Sequence, residues 1–554
     1  MSRFSDGPLP LPPASPRPLS PTTPINSHPH HHPHPFCHAS HIAAYLDTYT
    51  RTHIYNNVSL YDRIIFNTRV TTTTASKALP SHRSHRSQPR WYLACTPPSG
   101  GKMVIVGTRT LIDCTGLASQ PSIPAVQGQE GFRGLCIHQK DFARCEEGEG
   151  ILAGAPCDED EAGEGRGEGE EAHRGCWWGN GDGGDSGDSN CGGGGTNVSW
   201  VIREDGNGPA AFLPSKGAEG FYSRFVAGFL PCVFGTGNAG GRWWEGMLHR
   251  TRVGQWMVRK IWESVDRGYR DGANFGREQG EGMGRGFEGL ESQTPVFWQN
   301  DSSGINQRED FWDVIADRVD VYRRNLKAID EREITLAEEK GTGESGLTIP
   351  ADLLIYCTGW SPQSALFDDA TAAQLGLPVS IKYSESTNTP LDVAADAQVL
   401  SDFPALAHPP MYRRIEPALT PFRLYKTMAP VSENDDRSIL FLGRLVVGNN
   451  FLVAEAQALW AVAYLDGHIA CSQEEMERSV AETVAWSRRR YLNKGQLGIW
   501  FFFDVIKYAD MLLAQLGLDS HKRKGWFGNV FSPLRAADLK SLLGEYNAKH
   551  KCKA

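Results

Sequence analysis

The decapeptide Leu111-Ile-Asp-Cys-Thr-Gly-Leu-Ala-Ser-Gln120 recurs as Leu354-Ile-Tyr-Cys-Thr-Gly-Trp-Ser-Pro-Gln363, identical at Leu, Ile, Cys, Thr, Gly and Gln. Each copy is an apolar run of strand length that ends in small residues and turns on glycine. At the carboxyl edge of a sheet, such an ending lets the backbone approach a ligand or a neighbouring domain closely. Two ordinary buried strands with tight turns satisfy the same pattern. Either way, the chain must build a core around two similar strands far apart in sequence.

Strand-like and helical patterns alternate around both copies. A helix is expected at 42–49 and strands at 64–70, 91–94 and 103–106. Further strands are expected at 197–203, 351–356 and 438–442. Helices are expected at about 243–269 and 311–324, and the chain from about Phe451 reads as mostly helix. This alternation points to an α/β fold with a parallel sheet. Residues 1–40, rich in Pro, Ser and His, lack apolar periodicity and are expected to be a disordered tail. The histidines at 28–34 are interleaved with prolines, so they read as a solvated tract, and no metal site is assigned. Residues 145–195, dominated by Gly, Glu and Asp, cannot bury enough apolar surface to offset chain entropy and are expected to be a disordered insertion.

With 554 residues, 40% hydrophobic and 22% charged, the chain has room for two or three domains with a sizeable core. A formal net charge of −9 argues against nucleic acid as a partner, since phosphate binding needs a basic surface. The 12 cysteines form no C-x-x-C, which argues against zinc and redox motifs. They read as reduced, mostly buried thiols of a cytoplasmic protein. The N-terminus has no apolar signal-peptide core. The apolar stretch 497–518 is interrupted by Asp504, Lys507 and Asp510 at helical spacing. That suggests an amphipathic helix packed on the body rather than a transmembrane segment, with peripheral contact to a membrane surface left open.

A short distance after the first copy comes Phe132-Arg-Gly134-Leu-Cys-Ile-His138-Gln-Lys-Asp-Phe142, with the spacing F-x-G-x-x-x-H-x-x-x-F. This resembles the fingerprint of flavin-containing monooxygenases, which use FAD and NADPH to oxygenate small molecules. Related two-dinucleotide oxidoreductases carry A-T-G strands where the chain crosses between the FAD and NADPH domains. Cys114-Thr115-Gly116 and Cys357-Thr358-Gly359 look like those crossings, with Cys in place of Ala.

The resemblance implies an α/β, two-dinucleotide-binding flavoprotein. Its Rossmann-like FAD domain is expected to be discontinuous, over 41–144 and 351–470, and incomplete at the N-terminus. An NADPH-type domain at 196–350 is expected between the two parts, and a helical segment at 471–554 after them. Thr115, Gly116, Thr358 and Gly359 are the implied cofactor contacts at the crossings. Gly134 suits the turn, and His138 can offer a ring nitrogen to a hinge or cofactor. Members that insert oxygen into ketones usually carry Trp at the last position of the fingerprint. Phe142 therefore points to the nitrogen- or sulfur-oxygenating branch, similar to N,N-dimethylaniline monooxygenases, with a small nucleophilic substrate and O2 as partners.

The segment 197–203 resembles the second strand of a Rossmann unit, where an acidic residue would hold a ribose hydroxyl. Arg203 stands there instead and could pair with a 2′-phosphate. The glycine loop expected ahead of it is replaced by Gly150-Ile-Leu-Ala-Gly-Ala155 and the acidic insertion. The run Phe441-Leu-Gly443-Arg-Leu-Val-Val-Gly448-Asn449-Asn450-Phe451 resembles the last FAD-contacting segment of the family. It combines a strand, a glycine and an Asn-capped helix start, which makes Gly443, Asn449 and Asn450 candidates for contact with the flavin edge.

The family opens with a strand and a G-x-G-x-x-G loop for the FAD diphosphate, and nothing in 1–40 matches either. No catalytic residue is assigned. Three readings stay open. One is an active monooxygenase, and another is a catalytically impaired pseudoenzyme or binding protein on the same fold. The third is a translated sequence lacking its first exon and carrying intron-derived stretches at 71–90 and 145–195.

Overall fold

The structure is a computed structural model of the chain. It describes residues 39–76, 88–97, 101–142, 174–179, 197–204, 206, 211–214, 218–235, 243–278, 284–300, 303–306, 310–338, 346–383, 389–521 and 525–550.

The second copy of the repeat lies inside a five-stranded, wholly parallel sheet. The strand order is Val319–Arg323, Asn197–Ile202, Arg174–Gly179, Leu353–Cys357, Leu135–His138. The apolar run Leu353-Leu-Ile-Tyr356 is buried along its length, as a strand covered on both faces requires. Side chains alternate between the faces. Ile202 and Val321 enter a core with Trp262, Tyr269 and Trp312, while Val201, Leu354 and Tyr356 enter another with Ile329, Ile334 and Leu336. The helix Arg252–Ala273 closes the first core. The antiparallel meander Leu326–Ile329, Glu333–Leu336, Thr348–Pro350 closes the second.

The first copy lies elsewhere. Leu111–Asp113 pairs in parallel with Ile439–Phe441, beside an antiparallel sheet of Arg69–Ala75, Trp91–Thr96 and Val104–Thr108. Trp91, Phe367, Ile439 and Phe441 share one core. The largest core is helical, built by Pro390–Asp402, Asn450–Leu465, Gln473–Tyr491 and Val505–Gln515 around Trp460, Trp486 and Tyr508. Local signals set these helices. Thr389 and Asp392 form a reciprocal capping box with proline in the first turn, and Ser472 caps a helix with acidic first and basic last turns.

Several expectations need correction. The strand expected at 64–70 begins only at Arg69, and Leu60–Arg63 ahead of it is a helical turn capped by Ser59. The helix expected at 311–324 ends at Arg318, and Val319-Asp-Val-Tyr-Arg323, alternating and β-branched, becomes a sheet edge. The 243–269 region is two helices, broken where Thr251 caps the second. Within 145–195, Arg174–Gly179 forms the middle strand of the parallel sheet, so that part is not an insertion. The rest of that stretch, like residues 1–38, lies outside the described residues. Residues 72–75 pair in the antiparallel sheet with residues 91–94. The boundaries at 144 and 351 also cut through one sheet, since Leu135–His138 and Leu353–Cys357, expected in the FAD domain, share it with Asn197–Ile202 and Val319–Arg323, expected in the NADPH-type domain. Of the six cysteines whose side chains are described, all free, only Cys95 and Cys232 are buried, and Cys114 is exposed.

The stretch 497–518 is helical only over Val505–Gln515, and its charges do not form a solvated face. Asp504 is fully buried and accepts a hydrogen bond from Tyr491. Lys507 is buried and donates to Glu245 and the Leu230 carbonyl, and Asp510 pairs with Arg224 at 2.8 Å. Among the described residues, no helix is long and apolar enough to cross a membrane.

Candidate functional site

Both Thr-Gly endings turn on glycine in the left-handed region, with φ +66° at Gly116 and +75° at Gly359. The Gly116 turn is fastened from beneath. Asp113, buried at the end of its strand, accepts from the Thr115 amide at 2.8 Å and from the Arg444 guanidinium at 2.8 Å. Arg444, also buried, donates to the Thr115 hydroxyl at 2.9 Å and to the Gly116 carbonyl at 2.5 Å. Gly443, the residue before it, has φ +71°, and a side chain there would reach to 3.9 Å of the Gly116 Cα. Two side-chain-free turns therefore lie against each other, with open space above Gly116.

A buried polar network stands behind this contact. The Gly443 amide donates to the Gln457 side-chain oxygen at 3.3 Å, and the Gln457 amide nitrogen donates to the Tyr508 hydroxyl at 2.8 Å. Tyr508 in turn donates to the Lys426 carbonyl at 2.8 Å. Lys426 and Thr427 both have positive φ, +52° and +61°, unusual for residues with side chains. Burial pushes the Lys426 ammonium down to about 8. Downstream, Asn449 is buried and caps the helix Asn450–Leu465, accepting from the Leu452 amide at 3.3 Å, while Asn450 opens the helix in an exposed position.

The Gly359 turn is fastened differently. Its carbonyl accepts from the Ser122 amide at 3.0 Å and from His138 Nε2 at 3.0 Å. The Lys140 amide donates to His138 Nδ1 at 3.2 Å, so the proton of the neutral ring sits on Nε2, where it donates to Gly359. Burial holds the imidazole below its ordinary pKa, opposed in part by that bond to Gly359. The ring also stands edge-on to Trp360 at 5.0 Å. Thr358 donates to the Ser122 carbonyl, and the Ser361 amide donates to the Gln120 carbonyl at 2.9 Å. Residues 120–122, a few positions past the first Thr-Gly, are thus bonded along the second. The two copies of the repeat are stitched together through this segment.

The fingerprint follows from this geometry. Gly134 lies so close to the Asp352 carbonyl and the Phe132 ring that a side chain would sit 2.4 and 2.6 Å from them. That approach seats Leu135–His138 beside Leu353–Cys357 and delivers His138 opposite Tyr356. Arg203 follows directly on the strand Asn197–Ile202. All five strands are parallel, so Arg203, Thr358, Gly359 and His138 share one carboxyl edge. Arg203 and Thr358 lie two strand spacings apart, roughly 10 Å.

Thr115, Gly116 and Gly443 meet at one turn, Thr358, Gly359 and His138 at the other, and Arg203 stands farther along the second edge. Sequence reasoning passed over Asp113 and Arg444. An acidic residue ending an apolar strand and an arginine after a glycine were the available signals, because buried charges need partners. It also passed over the spacing Gly235-Thr-Gly237-Asn-Ala-Gly240 ahead of the helix Trp243–Arg250. A 3-10 turn precedes that run instead of a strand, and residues 236–242 lie outside the described residues.

No family model matches the chain. The FAD-dependent monooxygenase rstn6 of Aspergillus nomiae is 27% identical over 522 residues, covering 89% of this chain and 83% of that protein. Among solved structures, the polycyclic ketone monooxygenase from Thermothelomyces thermophila matches 93% of this chain and 75% of that one, at 12% identity and a TM-score of 0.42. An FAD-dependent monooxygenase of Pyrenophora dematioidea is 30% identical over 444 residues, covering 75% of this chain and 74% of its own length. The chain belongs to the FAD-dependent monooxygenases. In this monooxygenase the buried Asp113–Arg444 pair holds one Thr-Gly turn, and His138 holds the other.

Proposed function

We propose that this monooxygenase uses FAD and NADPH to oxygenate the nitrogen or sulfur of a small organic nucleophile. The observation that carries the proposal is the stitching of the two Thr-Gly turns through residues 120–122, with His138 as the clasp. It brings two strand ends, each able to admit a cofactor to bare backbone, into one frame.

The residues fit a flavin in part. Gly116 and Gly443 form a surface free of side chains, with open space above Gly116, and Arg444 Nε is buried without a partner there. In this reading Thr115, Gly116, Gly443, Asn449 and Asn450 hold the flavin portion of FAD. Thr358, Gly359 and Arg203 face NADPH, with Arg203 on its 2′-phosphate. When bound, the flavin supplies the redox and oxygen chemistry, and the protein contributes orientation and exclusion of water. His138 acts as a positioning residue, since both its ring nitrogens are engaged by backbone. Phe142 supports nitrogen or sulfur over ketone substrates.

A binding protein without turnover is the second reading. It rests on the lack, among the described residues, of a strand-borne glycine loop to hold a diphosphate. One experiment separates the two. The purified chain should carry flavin absorbance and consume NADPH faster when an amine or sulfide is added. A colourless, NADPH-inert protein supports the second reading. In an active enzyme, Arg203→Ala should raise KM for NADPH about tenfold while leaving KM for NADH unchanged.

A further inference from the structure

The helices Pro390–Asp402 and Gln473–Tyr491, with the chain at 406–414 and 492–496, line a cleft of about 360 Å³. No residue of the two Thr-Gly turns lines it, and the function proposed above does not use it. Its polar lining is rich in donors, since Arg414, Arg488 and Arg489 stand against a single carboxylate, Asp396. Arg489 engages both oxygens of that carboxylate, through Nε at 2.9 Å and through Nη2, and Arg488 Nη2 adds a bond at 3.2 Å. A guanidinium carries five N–H donors, so Arg488 keeps most of its own for another acceptor. Arg414 pairs with Glu416 at 3.4 Å, both side chains being exposed. The cleft is shaped by the backbone at the end of the helix Gln473–Tyr491. Leu492 holds φ +50° and ψ −120°, a conformation costly for a residue with a side chain. Asn493 fixes it there, its amide donating to Asn300 Oδ1 at 3.1 Å. The Asn493 side chain donates to the Arg413 carbonyl at 2.8 Å and accepts from the Ile415 amide at 3.0 Å, bolting down the backbone on either side of Arg414.

We propose that this cleft binds a small organic carboxylate with an apolar body, its charge on Arg488 and Arg414 and its body against Leu406, Leu492 and Tyr412. Three arginines against one aspartate leave the lining positive in a chain whose net charge is −9, so an anion is favoured here. The Asp396–Arg489 fork shows the mode of recognition within the same cleft, because a carboxylate takes two parallel N–H bonds from one guanidinium. The remaining lining is apolar. Leu406 and Leu492 are 1% and 3% exposed, and Tyr412 adds a ring with a hydroxyl. A bare inorganic anion would leave that surface uncovered, whereas an alkyl or aryl group covers it. Binding needs neither flavin nor NADPH, since the lining shares no residue with the two turns.

The test is isothermal titration calorimetry of the full chain with hexanoate, benzoate and phenylacetate, and with phenylacetamide and inorganic phosphate as controls. At least one of the three carboxylates should bind with a millimolar or lower Kd, and the uncharged amide at least tenfold more weakly than phenylacetate. Arg488→Gln should weaken carboxylate binding about tenfold. That variant also loses a bond to Asp396, so Arg414→Gln is the second. It should weaken binding severalfold while leaving the circular dichroism melt unchanged, because Arg414 is exposed. The proposal is overturned if none of the three carboxylates binds, or if the amide binds as well as phenylacetate. Affinity unchanged in both variants overturns it too, by placing the ligand elsewhere. Phosphate binding as tightly as the carboxylates overturns the role given to the apolar lining.

Discussion

Truncating Arg444 to alanine would leave Asp113 buried and charged beneath the Gly116 turn. Loss of one partner of a buried pair typically costs about 3–5 kcal/mol. Chemical denaturation of Arg444→Ala should show a loss in that range, with a smaller loss for Asp113→Asn, which keeps a hydrogen-bonding side chain. A change below about 1 kcal/mol would mean that water replaces the pair. His138 makes a prediction about pH. Its folded pKa lies below the ordinary value, so the unfolded chain takes up a proton first as pH falls through about 6.5. Stability from this residue is therefore complete above that pH and is lost on acidification. His138→Asn cannot titrate, so its melting temperature should fall less steeply between pH 7 and 5 than that of the wild type. Parallel slopes would remove His138 from the account. The turn at Gly116 was legible because glycine carries its conformational freedom in its covalent structure. Arg444 was not, since its meaning depends on an aspartate far away in sequence.

The elements hold the turns in place through caps and close backbone approaches. Asn449→Ala removes the oxygen that accepts from the Leu452 amide and should cost about 1 kcal/mol in thermal or chemical unfolding. Asn449→Asp should recover most of it. Gly443→Ala forces a side chain into the left-handed region and should cost a further 1–2 kcal/mol, roughly. If these turns also carry the flavin, both variants should lose it more readily than Thr389→Ala, which weakens a cap distant in sequence from both turns. Equal flavin retention in all three would separate the turns from the cofactor. The strands at 91–96, 104–108, 353–357 and 439–441 were legible from apolar runs bounded by turn residues. The switch from helix to strand at Val319 was not. A half-buried Val-Asp-Val-Tyr pattern continues a helical periodicity until a neighbouring strand offers hydrogen bonds, and Asn197–Ile202 supplies them.

Across the whole molecule, apolar exposure is uneven. Between the first helix and Leu135, large hydrophobic side chains such as Ile54, Tyr55, Ile65, Val104, Ile105 and Ile112 face solvent. The helical core around Trp460 and Trp486 is closed. Contiguous exposed apolar surface favours association. The native chain should bind a hydrophobic dye, and Val104→Ser with Ile105→Ser should reduce that signal without lowering the melting temperature. An unchanged signal would place the dye elsewhere. The amino-acid sequence by itself determined the α/β class, the two Thr-Gly turns and the helical C-terminal part. Periodicity and glycine placement are local properties that short stretches of chain carry with them. Only the tertiary structure decided that Arg174–Gly179 is the middle of a sheet, that Asp504 and Lys507 point inward, and that His138 clasps Gly359. Each of these depends on which distant groups satisfy a buried donor, acceptor or charge, and that choice is made when the chain packs.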